Sequence, residues 1–170
     1  MHAIKKTIDG INQLATNGFK IVLSNNLSEC NSILFLCSKE RVAELNPPFY
    51  GMLTDGIDYD ISGLAYSEFS TKDYAINKSL IFISPKYLID IQEATILEEM
   101  TQSLGLAFDS EKYTNSIFYK NKLELDTLVK EYSVMDQDIV RLLYHQKMEP
   151  GLDSIQVESV IKKILKSEKH

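Results

Sequence analysis

Residues 96–110, ILEEMTQSLGLAFDS, contain the end of a long helix and the loop that follows it. Apolar residues recur near the helical period of 3.6 over residues 88–104, which predicts one helix there. The residues that set this period are Ile89, Ile96, Leu97, Met100 and Leu104. Gly105 follows the last apolar turn, where glycine commonly ends a helix because it adopts left-handed backbone angles without strain. The stretch therefore predicts a central helix followed directly by a polar loop.

The segments before this helix predict two further helices and four strands. An apolar stripe over residues 3–15 predicts the first helix, and Ser38 is a predicted N-cap of the second. Residues 46–60, NPPFYGMLTDGIDYD, predict a loop because prolines, glycines and short polar residues dominate them. The predicted strands are FKIVLSN (19–25), NSILFLC (31–37), GLAYSEF (63–69) and KSLIFIS (78–84).

The segments after residue 110 predict a helical C-terminal part. Residues 122–132 and 135–145 predict two helices, the second with Ile139, Val140, Leu142 and Leu143 buried. Asp153 and Gln156 form a predicted capping box for a last helix. In this helix Ile155, Val160, Ile161 and Ile164 lie largely on one side. This order predicts one α+β domain over residues 1–170, with an α/β-like N-terminal part.

The charge and the apolar runs of the chain argue against nucleic-acid binding and against a membrane span. The net charge is −6 and no stripe of Lys and Arg is present, so we expect no binding to nucleic acid. No apolar run approaches the roughly 20 residues that span a bilayer, so we expect no membrane span in this chain. The start MHAIKKTIDG lacks the apolar core of a signal peptide, although it is compatible with removal of an upstream segment.

The two cysteines are predicted to be free thiols. Cys30 and Cys37 are separated by a mostly extended apolar stretch, which holds their backbones roughly 20 Å apart. A disulfide requires a much shorter separation, so it would form only if Cys30 folded back through a loop. Cys37 ends a predicted core strand and is expected to behave as a small buried hydrophobe.

The helix and its loop resemble the zinc site of the metzincin (zincin) metalloproteases. These enzymes carry H-E-x-x-H-x-x-G-x-x-H, in which the histidines bind zinc and the glutamate is the general base. EEMTQSLGLAF, residues 98–108, is similar to this frame, with Glu99 at the general-base position and Gly105 at the glycine. The three ligand positions hold Glu98, Gln102 and Phe108.

Two downstream stretches extend the resemblance. YSVMDQDIVRLLY, residues 132–144, resembles the Met-turn region, with Met135 as the methionine beneath the metal. EEMTQSLGLAFDS and LLYHQKMEPGLD also resemble an uncharacterised family of bacterial envelope proteins that carries E-E-x-x-Q-x-x-G-L, over most of residues 63–155. The resemblance implies a periplasmic, secreted or lipid-anchored location.

The resemblance also implies a twisted mixed sheet in which GLAYSEF is the antiparallel edge strand, packed on the helix of residues 88–104. Metzincins usually begin with a strand, whereas this chain opens on a predicted helix. That first strand is therefore either absent or was part of a removed upstream segment.

The histidine count argues against a zinc site. The only histidines are His2, His145 and His170, and no two of them have helical spacing, so we expect no zinc and no cofactor. An oxygen-ligated divalent cation at Glu98, Glu99, Gln102 and Asp109 is the alternative. We favour hydrogen bonds from Glu98 and Gln102 to the loop around Asp109 and Ser110.

Three functions remain open on this evidence. The first is a binding module without peptidase activity, in which the cleft takes an extended peptide or protein segment along the edge strand. Its expected cleft residues are Glu98, Gln102, Phe108, Asp109, Ser110 and Met135. The second is a metal-dependent hydrolase with the atypical oxygen ligands, in which Glu99 is catalytic. The third is a purely structural domain of the cell envelope.

Overall fold

The computed structural model describes residues 1–120 and 128–168, which form six α-helices and three strands. The helices are α1 (His2–Leu14), α2 (Lys39–Leu45), α3 (Pro47–Thr54), α4 (Ile89–Gln102), α5 (Val134–Leu143) and α6 (Ser154–Ser167). The strands are β1 (Ser32–Leu36), β2 (Gly63–Phe69) and β3 (Ile76–Ile83), and a short 3₁₀ turn spans Leu27–Glu29. The predicted α+β class is therefore confirmed.

The three strands form a mixed sheet in the order β1-β3-β2. β3 pairs in parallel with β1 and antiparallel with β2, so that Ile81 lies between Leu34 and Ala65. β2 is an edge strand of this sheet, and it packs on α4, as predicted for GLAYSEF.

Helices cover both faces of the central strand because successive side chains of a strand point to opposite faces. On one face, Ile81 and Ile83 pack in a cluster with Ile4 and Ile8 of α1 and with apolar residues of α4. On the other face, Leu80 and Phe82 pack against a cluster from α2 and α3. That second cluster contains Val42, Phe49 and Leu53. The apolar run of β3 is thus buried from both sides.

The prediction of a loop over residues 46–60 is wrong for its first half, which forms α3. Asn46 caps this helix, since its side chain accepts a hydrogen bond from the Phe49 N–H at 3.1 Å. Pro47 and Pro48 occupy the first turn, where the missing N–H groups would have no partner within the helix. Phe49 and Leu53 lie one turn apart and are fully buried, so packing stabilises the helix.

The prediction of a strand over residues 19–25 is also wrong. The side chain of Asn12 bonds to both backbone groups of Ile21: its amide donates to the Ile21 carbonyl at 2.9 Å, and its oxygen accepts from the Ile21 N–H at 2.7 Å. A side chain of α1 thus takes the place of a neighbouring strand. Ile21 packs against the core and the Phe19 ring packs on Tyr144, whereas Val22 is 80% exposed.

Other predicted elements are confirmed with smaller corrections. Ser38 caps α2, Asp153 and Gln156 form the capping box of α6, and Gly105 has a φ of 104° after α4. Of the four α5 residues expected to be buried, only Val140 is fully so, and Ile155 of α6 is 76% exposed.

Two further predictions concern the cysteines and the segment before α5. Both cysteines are free and half-buried, as expected for thiols without a disulfide, and burial raises the pKa of Cys37. The predicted helix over 122–132 lies outside the described residues up to 127, and residues 128–132 are not helical.

Gly63 allows the close approach of β2 to α4. A Cβ at this position would lie 2.4 Å from Thr95 Cγ2, 2.8 Å from Glu99 Cγ and 3.0 Å from Glu99 Oε1. Thr95 is buried, and its hydroxyl donates to the Ile91 carbonyl at 2.8 Å, so its methyl group has little room to move. The first residue of β2 must therefore lack a side chain.

We predict that Gly63→Ala lowers the free energy of unfolding by about 1 to 3 kcal/mol because the new methyl group overpacks the helix–strand contact. Gly51→Ala is the matched control. Gly51 lies inside α3, where a methyl group would meet no neighbouring element, and alanine there should raise stability by about 0.5 to 1 kcal/mol. Urea unfolding of both variants measures the difference, and a Gly63→Ala protein as stable as wild type would contradict the packing described for β2.

Candidate functional site

Six of the seven predicted site residues form two groups around the end of α4, and Met135 lies apart on α5. Glu98, Glu99 and Gln102 lie on the helix itself, and Phe108, Asp109 and Ser110 lie on the loop after it. A hydrogen bond joins the two groups, in which Gln102 Nε2 donates to Asp109 Oδ1 at 2.9 Å. The predicted bond between Gln102 and the loop is therefore confirmed.

Glu99 lies at the interface between α4 and β2. Its residue is only 8% exposed, and its side chain lies against Gly63 at the start of the edge strand. Glu98 is half-buried one turn before Gln102 on the same helix face. Neither glutamate lines the cavity that opens after α4.

The end of α4 is fixed to the sheet by serine hydroxyls. Ser67 of β2 and Ser79 of β3 both donate to the Ser103 carbonyl, at 3.0 and 3.3 Å. Ser103 in turn donates its hydroxyl to the Met100 carbonyl at 2.7 Å. These bonds place the C-terminal end of β2 beside the point where the chain leaves α4.

A cavity of about 270 Å³ opens directly after this point. Its walls come from the loop after α4 and from the first half of α5. The residues that line it are Gly105, Leu106, Ala107, Phe108, Ser110, Tyr113, Ser116, Phe118, Met135 and Ile139. The lining contains no charged side chain, and its polar groups are three hydroxyls, so it suits an uncharged apolar group.

Three of the predicted cleft residues, Phe108, Ser110 and Met135, lie together at this cavity. Phe108 is 91% exposed, which is unusual for a large apolar side chain and places its ring at the cavity rim. Met135 lies in the first turn of α5 and forms part of the wall.

Asp136 holds the cavity wall together, and the sequence interpretation missed this residue. Its carboxylate is fully buried and accepts hydrogen bonds from the Ser116 hydroxyl at 2.6 Å and the Ile117 N–H at 3.1 Å. It also accepts from the N–H and hydroxyl of Ser133, at 3.0 and 2.8 Å. One side chain thus joins the start of α5 to the loop, and the pattern Ser133-x-x-Asp136 is the local signal that could have found it.

Two tyrosines fix the α5 region to α4. The Tyr132 hydroxyl lies 2.7 Å from the hydroxyl of buried Thr101, and the Tyr144 hydroxyl donates to the Leu104 carbonyl at 3.3 Å. Burial raises the pKa of both phenols to about 12, because the charged phenolate loses its hydration there.

The donor groups do not fit zinc. The frame positions hold Glu98, Gln102 and Phe108, and a phenylalanine side chain has no ligand atom. His145 lies at the end of α5, where its Nδ1 accepts a hydrogen bond from the Lys147 N–H at 3.0 Å. Within residues 1–120 and 128–168, no three or more His, Cys, Asp and Glu side chains are grouped to hold a metal ion. The carboxylates of the alternative oxygen-ligand set are therefore not gathered in one cluster.

Comparison with protein families identifies the family of the chain. The family described as "Protein of unknown function (DUF2927)" matches residues 2–163, so the chain belongs to the DUF2927 family. No curated protein and no solved structure gives a match. None of the helices in the described part of the chain is long and apolar enough to cross a membrane. The metzincin resemblance stays a prediction.

We predict that Asp136→Asn lowers the free energy of unfolding by about 3 kcal/mol, because the amide cannot accept from all the buried donors that now face the carboxylate. Asp138→Asn on the same helix is the control. Asp138 forms an exposed ion pair with Arg141 at 3.1 Å, so its loss should cost less than about 1 kcal/mol. Equal effects of the two variants in urea unfolding would show that the Asp136 contacts do not hold the wall.

We predict that stability falls between pH 10 and 12. An unfolded tyrosine ionises near pH 10, whereas Tyr132 and Tyr144 remain neutral in the folded protein up to about pH 12. The folded state then binds more protons than the unfolded state, so stability decreases as the pH rises, by about 2 to 3 kcal/mol for each residue. Tyr132→Phe should reduce the slope of unfolding free energy against pH in this window, and an unchanged slope would contradict the burial of this phenol.

Proposed function

We propose that this domain is a binding module without peptidase activity. It takes an extended protein segment along β2 and seats one apolar side chain of that segment in the cavity. The single observation that carries the proposal is the apolar cavity of about 270 Å³ with the exposed ring of Phe108 at its rim. A cavity of this size is large enough for one aliphatic or aromatic side chain.

The edge strand supports the first half of the proposal. Among the described residues β2 pairs only with β3, so its outer backbone groups are available to another strand. The added strand would gain backbone hydrogen bonds at this edge, which do not depend on its sequence.

The connection between β2 and the cavity supports the second half. The Ser67 hydroxyl bonds to the Ser103 carbonyl, and the cavity lining begins two residues later at Gly105. Gly105 also lies against Ile76, which pairs in register with Phe69 at the end of β2. The loop that lines the cavity thus begins near the end of β2, which supports a bound segment that continues from β2 to the cavity and places one apolar side chain there.

The residues at the positions aligned with the zinc ligands support the absence of peptidase activity. A zincin glutamate such as the one aligned with Glu99 acts on metal-bound water, and Glu98, Gln102 and Phe108 do not provide the zinc ligands. Glu99 instead belongs to the packed interface with Gly63. We propose a location in the bacterial cell envelope, supported by the resemblance of EEMTQSLGLAFDS and LLYHQKMEPGLD to an envelope family.

The test is a panel of fluorescent nonapeptides with blocked ends, built from Ser, Thr and Gly around a central Ala, Val, Leu, Met, Phe or Trp. Fluorescence anisotropy measures binding, and mass spectrometry afterwards checks that each peptide is intact. At least one large apolar central residue should give binding that a central Ala abolishes. Backbone N-methylation on one edge of the same peptide should weaken binding, because it removes the donors that pair with β2.

Phe108→Ala should weaken binding of the best peptide about ten-fold, since the ring is lost from the cavity rim. Ile155→Ala is the matched control, because Ile155 is also a large exposed apolar residue but lies on α6, away from the cavity lining. Absence of binding across the panel, or equal loss in both variants, would overturn the proposal. Cleavage of a peptide would overturn the statement that the domain is not a peptidase.

A further inference from the structure

We infer that the segment bound at the cavity is cationic, with Lys or Arg next to its apolar anchor residue. This inference rests on the proposed binding function and specifies the partner of the same site. It follows from the charges around the cavity rim, since the lining itself carries none.

Asp109 is an exposed charged residue directly beside the cavity lining. It lies in the chain between Phe108 and Ser110, both of which line the cavity, and its own residue is exposed. Gln102 Nε2 donates to its Oδ1 at 2.9 Å, which fixes the carboxylate from a rigid helix. Within the described part of the chain, no Lys, Arg or His lies within ion-pair distance of Asp109.

The other charges of the loop do not cancel this carboxylate at the rim. Glu111 and Lys120 neutralise each other in an ion pair at 3.3 Å. Lys112 is exposed and directly precedes Tyr113 of the lining, and its backbone N–H donates to the Ser110 hydroxyl at 3.2 Å. A fixed carboxylate loses less side-chain entropy in an ion pair than a mobile lysine does, so Asp109 determines the preferred charge.

The negative net charge of the molecule also favours a cationic segment. The net charge is −6, which attracts a cationic segment at long range and repels an acidic one. Glu68 near the end of β2 is exposed, although it lies in register with Lys78 of β3. The segment that follows β2 towards the cavity therefore meets a carboxylate at the rim, and a cation beside the anchor would pair with it.

The experiment compares three nonapeptides that share the best anchor of the panel and differ in the next residue, which is Arg, Gln or Glu. Binding to the full chain should follow the order Arg, Gln, Glu, with about three- to five-fold between Arg and Gln at low salt. Salt at about 0.5 M should reduce this ratio, because the pair is exposed and screened.

Two variants assign the effect to one residue. Asp109→Asn should reduce the preference for Arg over Gln to near one, because it removes the charge that pairs with the cation. Lys112→Gln is the matched control on the same loop and should keep or increase the preference for Arg. Equal binding of the three peptides, or an equal response of the two variants, would overturn the inference while leaving the binding function intact. Failure of all three peptides to bind would instead overturn the binding function itself.

Two other occupants of the cavity, a small molecule and a second copy of the chain, would give different experimental results. Phenethylammonium, a free aromatic cation, should bind at least ten-fold more weakly than the Arg peptide because it makes no backbone bonds to β2. Equal binding would assign the cavity to a small molecule. Light scattering of the wild-type chain alone should show no self-association. Self-association that Phe108→Ala abolishes would assign the cavity to a second copy of the chain. Either result overturns the inference of a cationic protein segment.

Discussion

The buried carboxylate of Asp136 joins the two parts of the chain that form the cavity. Ser116 and Ile117 on the loop, and Ser133 before α5, all donate to it. A fully buried charge is unfavourable unless hydrogen bonds compensate for its lost hydration. The loop therefore has one arrangement of low free energy relative to α5, and that arrangement sets the positions of Ser116, Phe118 and Met135 in the wall. A rigid wall is what a selective apolar site requires.

Hydrophobic periodicity correctly predicted β3 and α4, whose apolar side chains pack in the core. The run Leu80–Ile83 is buried on both faces, and Ile96 and Met100 of α4 pack against the sheet, whereas the predicted stripe residue Ile89 is 72% exposed. Predictions failed where one side chain replaces a regular pattern. Asn12 supplies the backbone partners of Ile21, which an alternating pattern alone would assign to a strand. In α3, the two prolines suggest a loop, yet the Asn46 cap and the buried pair Phe49 and Leu53 favour a helix.

The site was predictable to the extent that local motifs define it. The spacing from Glu98 to Phe108 indicates the end of α4 and its loop, and a second motif indicates Met135, so local motifs alone predict Phe108, Ser110 and Met135. The sequence could not indicate that Glu99 belongs to the contact with Gly63, since that depends on how β2 approaches α4. Asp136 carries the local signature of a capping residue, but its bonds to residues about 20 positions away depend on the tertiary fold.

The central claim is that β2 and the cavity form one continuous binding surface. Hydrogen–deuterium exchange of the whole chain, with and without the best-binding nonapeptide, tests it most directly because it measures protection of both features in one experiment. The claim predicts slower exchange in residues 63–69 and in residues 105–118, and weaker protection of both segments in Phe108→Ala at the same peptide concentration. Protection confined to one segment, or located elsewhere in the chain, would contradict it.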